Sequence, residues 1–541
     1  MVVNNDPVVL IVRDGWGQHP DSSMDAYNAI VQAKTPVADM LHAEWPTTLI
    51  GTCGENVGLP CGVMGNSEVG HQNIGAGRIV PQELMRLTIA AESGAFKTNP
   101  VLREVFERGT SGHTVHIIGL VSDGRVHSDL AHLFALLDAA PKETCICIHV
   151  ITDGRDCSPI AGLGFVQALE DHIRGTSATI ASVMGRYWAM DRDFRWERVS
   201  LAFEVLTGRS TTHPLRGDLP DVRQAFRASD AITEYYERPI EPSLNGDEFI
   251  VPTQIVDADS RPIGLIKDGD AVFFFNYRGD RPREMSKAFV LDDCEWSKVP
   301  RGAFTRGEKF NNLFYVTMTN YETDLPVSAV AFDKPPPLKN ILGDVLSSAR
   351  LQQFRCAETE KFPHVTFFFN DYREAPFNGE QRLLVPSPTD VSTYDQKPQM
   401  SASEVCNGVL KVLSSDDRPA VIIVNFANAD MVGHTGSLPA IIKAVEVVDH
   451  CCGEIIAATL SVGGSLVITA DHGNAERTWN VETNSPDTAH TTFDVPLHLV
   501  GEKWKTSTLR SGGILADIAP TILHMLPLQK PEEMSGRSLI Q

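Results

Sequence analysis

Val8-Val9-Leu10-Ile11-Val12-Arg13-Asp14-Gly15 stands near the start of the chain, and its reading decides the fold. A short aliphatic run without polar alternation predicts a strand covered on both faces, as in a parallel sheet. The same pattern recurs at Val115 to Val121, Cys145 to Thr152, Ala271 to Asn276, Val421 to Phe426 and Leu466 to Thr469. Between several of these runs lie stretches with helical periodicity, Asp129 to Ala140 and Pro439 to Leu460. Strand and helix alternating in this way predict an open α/β sheet.

Ligands in such sheets sit beyond the carboxyl ends of the strands. Here those ends read Arg13-Asp14-Gly15, Ser122-Asp123-Gly124-Arg125-Val126-His127, Asp153-Gly154-Arg155-Asp156, Tyr277-Arg278-Gly279-Asp280-Arg281, Asn428-Ala429-Asp430 and Ala470-Asp471-His472-Gly473. A single Asp-Gly after a strand is ordinary turn chemistry. Six ends that each bring Asp, His or Arg point instead to chemistry.

Composition narrows the classes. The chain has 541 residues, 42% of them hydrophobic and 21% charged, enough for a sizeable core and too apolar for a disordered protein. A formal charge of −22 repels nucleic acid and acidic membranes, so neither is expected as a partner. Any anionic substrate must then meet a local cluster of Arg and Lys. The ten cysteines lack C-x-x-C spacing and read as buried free thiols of a reducing compartment. The first residues, Met1 to Pro7, lack the basic region of a secretion signal, and Val8 to Val12 is too short to span a membrane. A cytoplasmic location is the expectation. The run Asp333-Lys334-Pro335-Pro336-Pro337 enforces extended backbone and marks a boundary.

Asp430 and His434 lie one turn apart if their segment is helical, Asp471-His472 follow a strand directly, and Asp14 and His490 add a carboxylate and an imidazole. Carboxylate and imidazole together suit Mn²⁺, Mg²⁺ or Zn²⁺. Gly65 to Arg78 reads as a glycine-rich loop in which Ser67 presents a hydroxyl to a phosphate.

These residues fall in motifs that resemble the cofactor-independent (2,3-bisphosphoglycerate-independent) phosphoglycerate mutases of the alkaline phosphatase superfamily. The resemblance runs from Asp14-Gly15-Trp16-Gly17 to His490-Thr491-Thr492. Among its motifs are Gly65 to Arg78, Ser122 to Ser128, Gly185 to Asp193, Glu360-Lys361-Phe362-Pro363-His364-Val365-Thr366, Asp430-Met431-Val432-Gly433-His434-Thr435-Gly436 and Thr469 to Glu476. It implies interconversion of 3-phosphoglycerate and 2-phosphoglycerate without 2,3-bisphosphoglycerate, through a phosphoserine at Ser67. It further implies two divalent ions (Mn²⁺, Co²⁺ or Mg²⁺), one on Asp430, His434 and His490 and the other on Asp14, Ser67, Asp471 and His472. The implied substrate contacts are His127, Arg155, Asp156, Arg186, Arg192, Arg278, Arg281 and Lys361. Arg is the residue type suited to a ligand with a phosphate and a carboxylate, because its fork holds either oxyanion bidentately. Asp156 is the expected general base, and Lys361 is expected to offset charge on the transferring group.

Metal ligands at both ends of the chain require one discontinuous domain, an alkaline-phosphatase-like three-layer α/β unit of residues 1–86 and 334–541, with a second α/β domain, 87–333, inserted. The inserted domain carries most of the substrate contacts, so the active site is expected in a cleft that closes on substrate. Segments Thr212 to Asp230 and Asp292 to Gly307 read as surface insertions, and the resemblance implies a monomer. Two other readings keep the metal residues: a phosphopentomutase or plain alkaline phosphatase, and a catalytically silent metal-binding scaffold. The first is disfavoured by the motifs between residues 122 and 281, the second by the fact that every expected position is filled.

Overall fold

The computed structural model describes residues 6–481 and 484–541, with the side chain of Asp218 also outside the description. Of the stretch read above for a targeting signal, residues 1–5 therefore lie outside the described residues. The chain divides into two compact units, Met1–Gln82 with Pro336–Gln541, and Glu83–Pro335. The division at Gln82/Glu83 precedes the expected one because Glu83–Glu92 is one continuous helix.

In the discontinuous unit, eight strands pair in the order Glu380–Val385, Gln353–Glu358, Val421–Phe426, Val8–Arg13, Ser465–Thr469, Val495–Val500, Thr47–Gly51 and Gly513–Ile514. The first five run parallel. Val495–Val500 is antiparallel to both its neighbours. Val8–Arg13 is central, with Val9 opposite Ile422 on one side and Leu466 on the other, and all six of its residues are buried. Helices Pro36–Glu44, Ala402–Leu413 and Leu438–Ser461 form one packed group. Ser67–Ala76, Leu342–Ser348 and Ile518–Met525 form the other. The aliphatic runs fit this environment because both strand faces need apolar cover.

The inserted unit has its own eight-stranded sheet, ordered Ala329–Val330, Phe314–Thr317, Ala271–Phe274, Val115–Leu120, Ile146–Thr152, Ala178–Gly185, Thr253–Ile255 and Arg223–Ala225. Only the pairing of Ala178–Gly185 with Thr253–Ile255 is antiparallel. Alternate residues of its strands feed two separate cores: Ile117, Ile148 and Phe273 on one face, Ile118, Ile151 and Phe274 on the other. This is the three-layer α/β arrangement, with a second α/β unit inserted, that the resemblance implied.

Three expectations are corrected. Asp292 to Gly307 is not surface decoration, because Trp296 and Phe304 are buried in the second of those cores and Arg306 donates to the carbonyls of Ala288 and Leu291. Within Thr212 to Asp230, Arg223–Ala225 is an edge strand, and the helix Ala228–Glu237 that follows buries Ala228, Ile232 and Tyr235. All ten thiols are free, but only Cys147, Cys356, Cys406, Cys451 and Cys452 are buried; Cys61, Cys145 and Cys294 are exposed. No helix among the described residues is long and apolar enough to cross a membrane.

Candidate active site

Parallel pairing brings the carboxyl ends of Val8–Arg13, Val421–Phe426 and Ser465–Thr469 to one edge of the sheet, and with them Asp14, Asp430 and Asp471. All three carboxylates are buried. Ser67 arrives differently from expectation. Gly65 to Arg78 is not a glycine-rich loop but mostly the helix Ser67–Ala76, capped by the Asn66 side chain, which accepts from the Val69 amide. Its glycines serve close packing: a Cβ on Gly70 would lie 3.0 Å from Asp471 Cβ, and one on Gly75 would strike the backbone of Phe369.

Ser67 Oγ is therefore held at a helix start, 3.2 Å from Asp14 Oδ1 and 3.0 Å from His472 Nε2. It also accepts from Lys361 Nζ at 2.7 Å. The same ammonium reaches Asp14 Oδ1 at 2.8 Å and Asp430 Oδ2 at 2.6 Å. Burial alone would strip the proton from Lys361, but Asp14 and Asp430 outweigh it and hold the ammonium above its ordinary range. Burial, then the neighbouring Asp471, pushes the Asp14 carboxyl up. Burial opposes ionisation of Asp430 as well, yet the Lys361 ammonium holds it well below the usual carboxylate range.

The imidazoles share one arrangement. His434 Nδ1 lies 2.8 Å from the Thr488 carbonyl, His490 Nδ1 2.9 Å from that of Gly65, and His472 Nδ1 3.3 Å from that of Gly473. Each carbonyl needs a donor, so each ring carries its proton on Nδ1 and turns the Nε2 lone pair inward. His434 Nε2 and His490 Nε2 then face each other at 3.2 Å, both close to Asp430 Oδ1 at 3.3 and 3.1 Å. Lone pairs and carboxylate oxygens converging without a proton between them are the donor set of a cation, with the backbone carbonyls fixing ring orientation. Neither carboxylate oxygen of Asp471 has a directed hydrogen bond. Ligand atoms of Asp430, His472 and His490 lie within 4.8 Å of one another, as do those of Asp14, His71 and Asp471. Asn66, Ser67, Lys361, Asp430, His434 and His490 line an open depression of about 500 Å³.

A second cluster occupies the carboxyl edge of the inserted unit's sheet. Arg186 NH1 lies 2.5 Å from both Asp153 Oδ1 and Asp156 Oδ2. His127 lies between Asp156 at 3.9 Å and Asp280 at 3.6 Å; burial, then Arg186, pulls its imidazole down to about 4. Arg278 Nε is 3.1 Å from Asp280 Oδ1, and Arg192 NH1 is 3.7 Å from Asp280 Oδ2. Arg281 donates to the Met190 carbonyl, and burial and the neighbouring Arg186, Arg192 and Arg155 lower it. Arg155 is exposed beside Glu248. Seven of the expected substrate contacts thus share one edge, with Arg155, Arg192 and Arg278 about half exposed. Lys361 belongs to the discontinuous unit, where it sits among the carboxylates around Ser67.

The Metalloenzyme superfamily model matches residues 6–530. The chain is 54% identical over 542 residues to a 2,3-bisphosphoglycerate-independent phosphoglycerate mutase of Rhodopirellula baltica, with 99% of this chain and 97% of that protein covered. It belongs to this mutase family. Another family member, from Thermosynechococcus vestitus, is 47% identical over 547 residues, covering 99% of this chain and 95% of that protein. The structure of a phosphoglycerate mutase of Leishmania mexicana at low cobalt concentration superposes with a TM-score of 0.61 at 32% identity, covering 99% of this chain and 98% of that one.

For this family member, sequence reading missed several residues that hold the site. Asp153 and Asp280 order the Arg cluster. Glu476, fully buried, accepts from the Gly17 and Asn474 amides and from the Thr491 hydroxyl, which links the three loops bearing Asp14, Asp471 and His490. His71 and Asn425 lie behind Asp14 and Asp471. His71 fell within the stretch read as a loop, where its spacing from Ser67 carried no meaning until the helix was seen; Asn425 gave no signal, since polarity within a strand says nothing about its neighbours.

Proposed function

We propose that the family's interconversion of 3-phosphoglycerate and 2-phosphoglycerate, independent of 2,3-bisphosphoglycerate, runs in this chain through phosphorylation of Ser67. One observation carries the proposal: a buried hydroxyl at a helix start that accepts from Lys361 and faces Asp14 and His472 at 3.2 and 3.0 Å. Lys361 withdraws charge from Oγ while the Asp14 carboxylate, to which the hydroxyl donates, takes its proton, which makes the oxygen a nucleophile. The Ser67 Oγ–P bond forms as the ester bond to the glycerate oxygen breaks, and the Lys361 ammonium lies where negative charge develops. In the second half the glycerate's other hydroxyl attacks the phosphoserine, Asp156 takes its proton, and Ser67 is released.

Asp430, His434 and His490 would hold one divalent ion, and Asp14, Ser67, Asp471 and His472 the other. Such ions supply Lewis-acid stabilisation of the phosphoryl oxygens and lower the pKa of a coordinated hydroxyl. Mn²⁺, Co²⁺ and Mg²⁺ all suit this carboxylate and imidazole set. Arg155, Arg186, Arg192, Arg278, Arg281 and His127 are proposed to hold the glycerate. Arg186, buried and braced by Asp153 and Asp156, sets the position, and the exposed arginines supply forks for the ligand's oxyanions. The chain is proposed to work as a cytoplasmic monomer.

The decisive experiment is conversion of 3-phosphoglycerate by chelator-stripped protein without bisphosphoglycerate, before and after addition of Mn²⁺, Co²⁺ or Mg²⁺. Activity restored by metal is the expected result. Hydrolysis of a generic phosphate ester with no mutase activity would withdraw the glycerate contacts.

A further inference from the structure

Asp14 Oδ2 accepts a hydrogen bond from Asn425 Nδ2 at 2.7 Å. That short contact to a carboxylate requires the amide nitrogen there, which fixes the orientation of the Asn425 amide. The same nitrogen lies 3.1 Å from His71 Nε2 and directs its second N–H at it, so Nε2 must supply the lone pair. The His71 proton is then on Nδ1. That nitrogen lies 2.9 Å from the Ser67 carbonyl oxygen and 3.2 Å from Asp471 Oδ2. A chain of contacts thus runs from Asp14 through Asn425 and His71 to Asp471, entirely within fully buried side chains.

We infer that His71 and Asn425 are positioning residues that tie Asp14 to Asp471 and present both carboxylates to one metal ion. This rests on the reading that Asp14 and Asp471 share an ion. With Nδ1 protonated and Nε2 accepting from Asn425, neither nitrogen of His71 has a lone pair for a metal, although its ligand atom lies within 4.8 Å of those of Asp14 and Asp471. The tie engages one oxygen of each carboxylate, Oδ2 in both cases. It leaves Asp14 Oδ1 facing Ser67 and Lys361; at Asp471 the 3.2 Å approach of His71 Nδ1–H to Oδ2 is an electrostatic contact, the hydrogen bond going to the Ser67 carbonyl, so neither Asp471 oxygen is spent on a hydrogen bond among the described residues. Two like charges held beside each other in a dry site repel, and a neutral ring fixed by a helix and a strand holds them at a set separation without adding charge. His71 stands four residues after Ser67 on the same helix, so the tie also fixes the nucleophile relative to both carboxylates. Asp430, His434 and His490 make no direct hydrogen bond to His71 or Asn425, and Asp430 meets the chain only through Lys361, which bridges it to Asp14 Oδ1, so the larger effect is expected on the ion of Asp14 and Asp471.

The test is equilibrium dialysis of chelator-stripped full-length protein against Mn²⁺ with metal analysis, for wild type, His71→Phe, His71→Asn and Asn425→Leu. Wild type is expected to bind two ions per chain. His71→Phe should weaken one of them roughly 10- to 100-fold, the range seen when partners of metal ligands are removed, and affect the other less. His71→Asn keeps a donor near the Nδ1 position and should fall between. Asn425→Leu should weaken the same ion as His71→Phe, and the double variant should lose less than the product of the two single effects. Melting of the metal-free proteins provides the control: a merely structural role would lower it for every variant and weaken both ions equally, which would overturn the inference. Two ions bound with wild-type affinity by His71→Phe would overturn it as well, while leaving the metal reading intact. A wild type that binds only one ion would withdraw the metal reading, and this inference with it.

Discussion

Ser67, the proposed nucleophile, illustrates how little such a side chain owes to its own chemistry. Its hydroxyl is ordinary; what distinguishes it is a buried ammonium at 2.7 Å and two acceptors within 3.2 Å. Ser67→Ala is accordingly expected to lower mutase turnover by on the order of 10³-fold or more with the melting temperature unchanged, measured by coupled assay and calorimetry. Glu476 works at one remove. Its carboxylate satisfies two amides and a hydroxyl on the three loops that carry Asp14, Asp471 and His490, so Glu476→Ala leaves buried donors unpaired in all three. A loss of about 3 kcal/mol in unfolding free energy is expected from denaturant titration, together with weakened metal retention. If metal retention were unchanged, the three loops would not depend on this clamp.

At the scale of elements, the helix Ser67–Ala76 is the part that looks least like a helix in sequence. Gly70, Gly75 and Gly77 suggest a loop; Gly70 and Gly75 each cost helix stability, whereas Gly77 closes the helix as a left-handed cap. The structure spends those glycines on proximity: Gly75 lies against the Phe369 backbone and Gly70 against Asp471. Gly75→Ala should improve helix propensity yet destabilise the protein by about 2 kcal/mol, because the added methyl meets a main-chain carbonyl that cannot move aside. A rise in melting temperature for this variant would show that helix propensity, not the close approach, governs the site. The segment Asp292 to Gly307 teaches the same lesson from the opposite direction. Rich in polar residues, it reads as surface, yet Trp296 packs edge-to-face on Trp196 with centroids 4.9 Å apart and donates to the Phe304 carbonyl. Trp296→Ala is expected to cost about 3 to 5 kcal/mol, against near-neutral if the segment were decoration.

Over the whole molecule, buried carboxyls make stability depend on pH. Burial, only partly offset by the Ser387 hydroxyl, pushes Glu358 up to about 7 from its ordinary 4.5. Burial, then Asp191, raises Glu284 of the inserted unit as well. A carboxyl that binds its proton more tightly folded than unfolded adds stability that is complete below the unfolded value and is lost as pH rises through the folded one. Glu358→Gln should therefore melt close to wild type near pH 4.5 and gain on it progressively towards pH 8, by on the order of 2 kcal/mol. A difference between the two proteins that stays constant with pH would show that Glu358 ionises normally in the fold. The two units each carry one cluster at the carboxyl edge of a mostly parallel sheet, acidic and imidazole-rich in one, Arg-rich in the other. That placement follows from parallel pairing itself, which gathers every strand's carboxyl end on one side.

The sequence by itself determined the α/β class, the aliphatic strands, the discontinuous connectivity and the identity of the residues around Ser67. The class and the strands follow from a local rule, that a covered strand must be apolar along its length; the residues around Ser67, and the discontinuous connectivity that joins them, were legible through motifs that resemble those of the mutase family. The antiparallel strand Val495–Val500, the burial of Trp296 and Phe304, the helix in place of a glycine-rich loop, and the roles of Glu476, His71 and Asn425 were decided only by the tertiary structure. Each of these depends on what lies opposite in space: Glu476 meets Gly17 across 459 residues, and His71 meets Asn425 across 354. No local pattern encodes such a partner, because a buried polar side chain takes its function from whichever distant donor or acceptor the fold delivers to it.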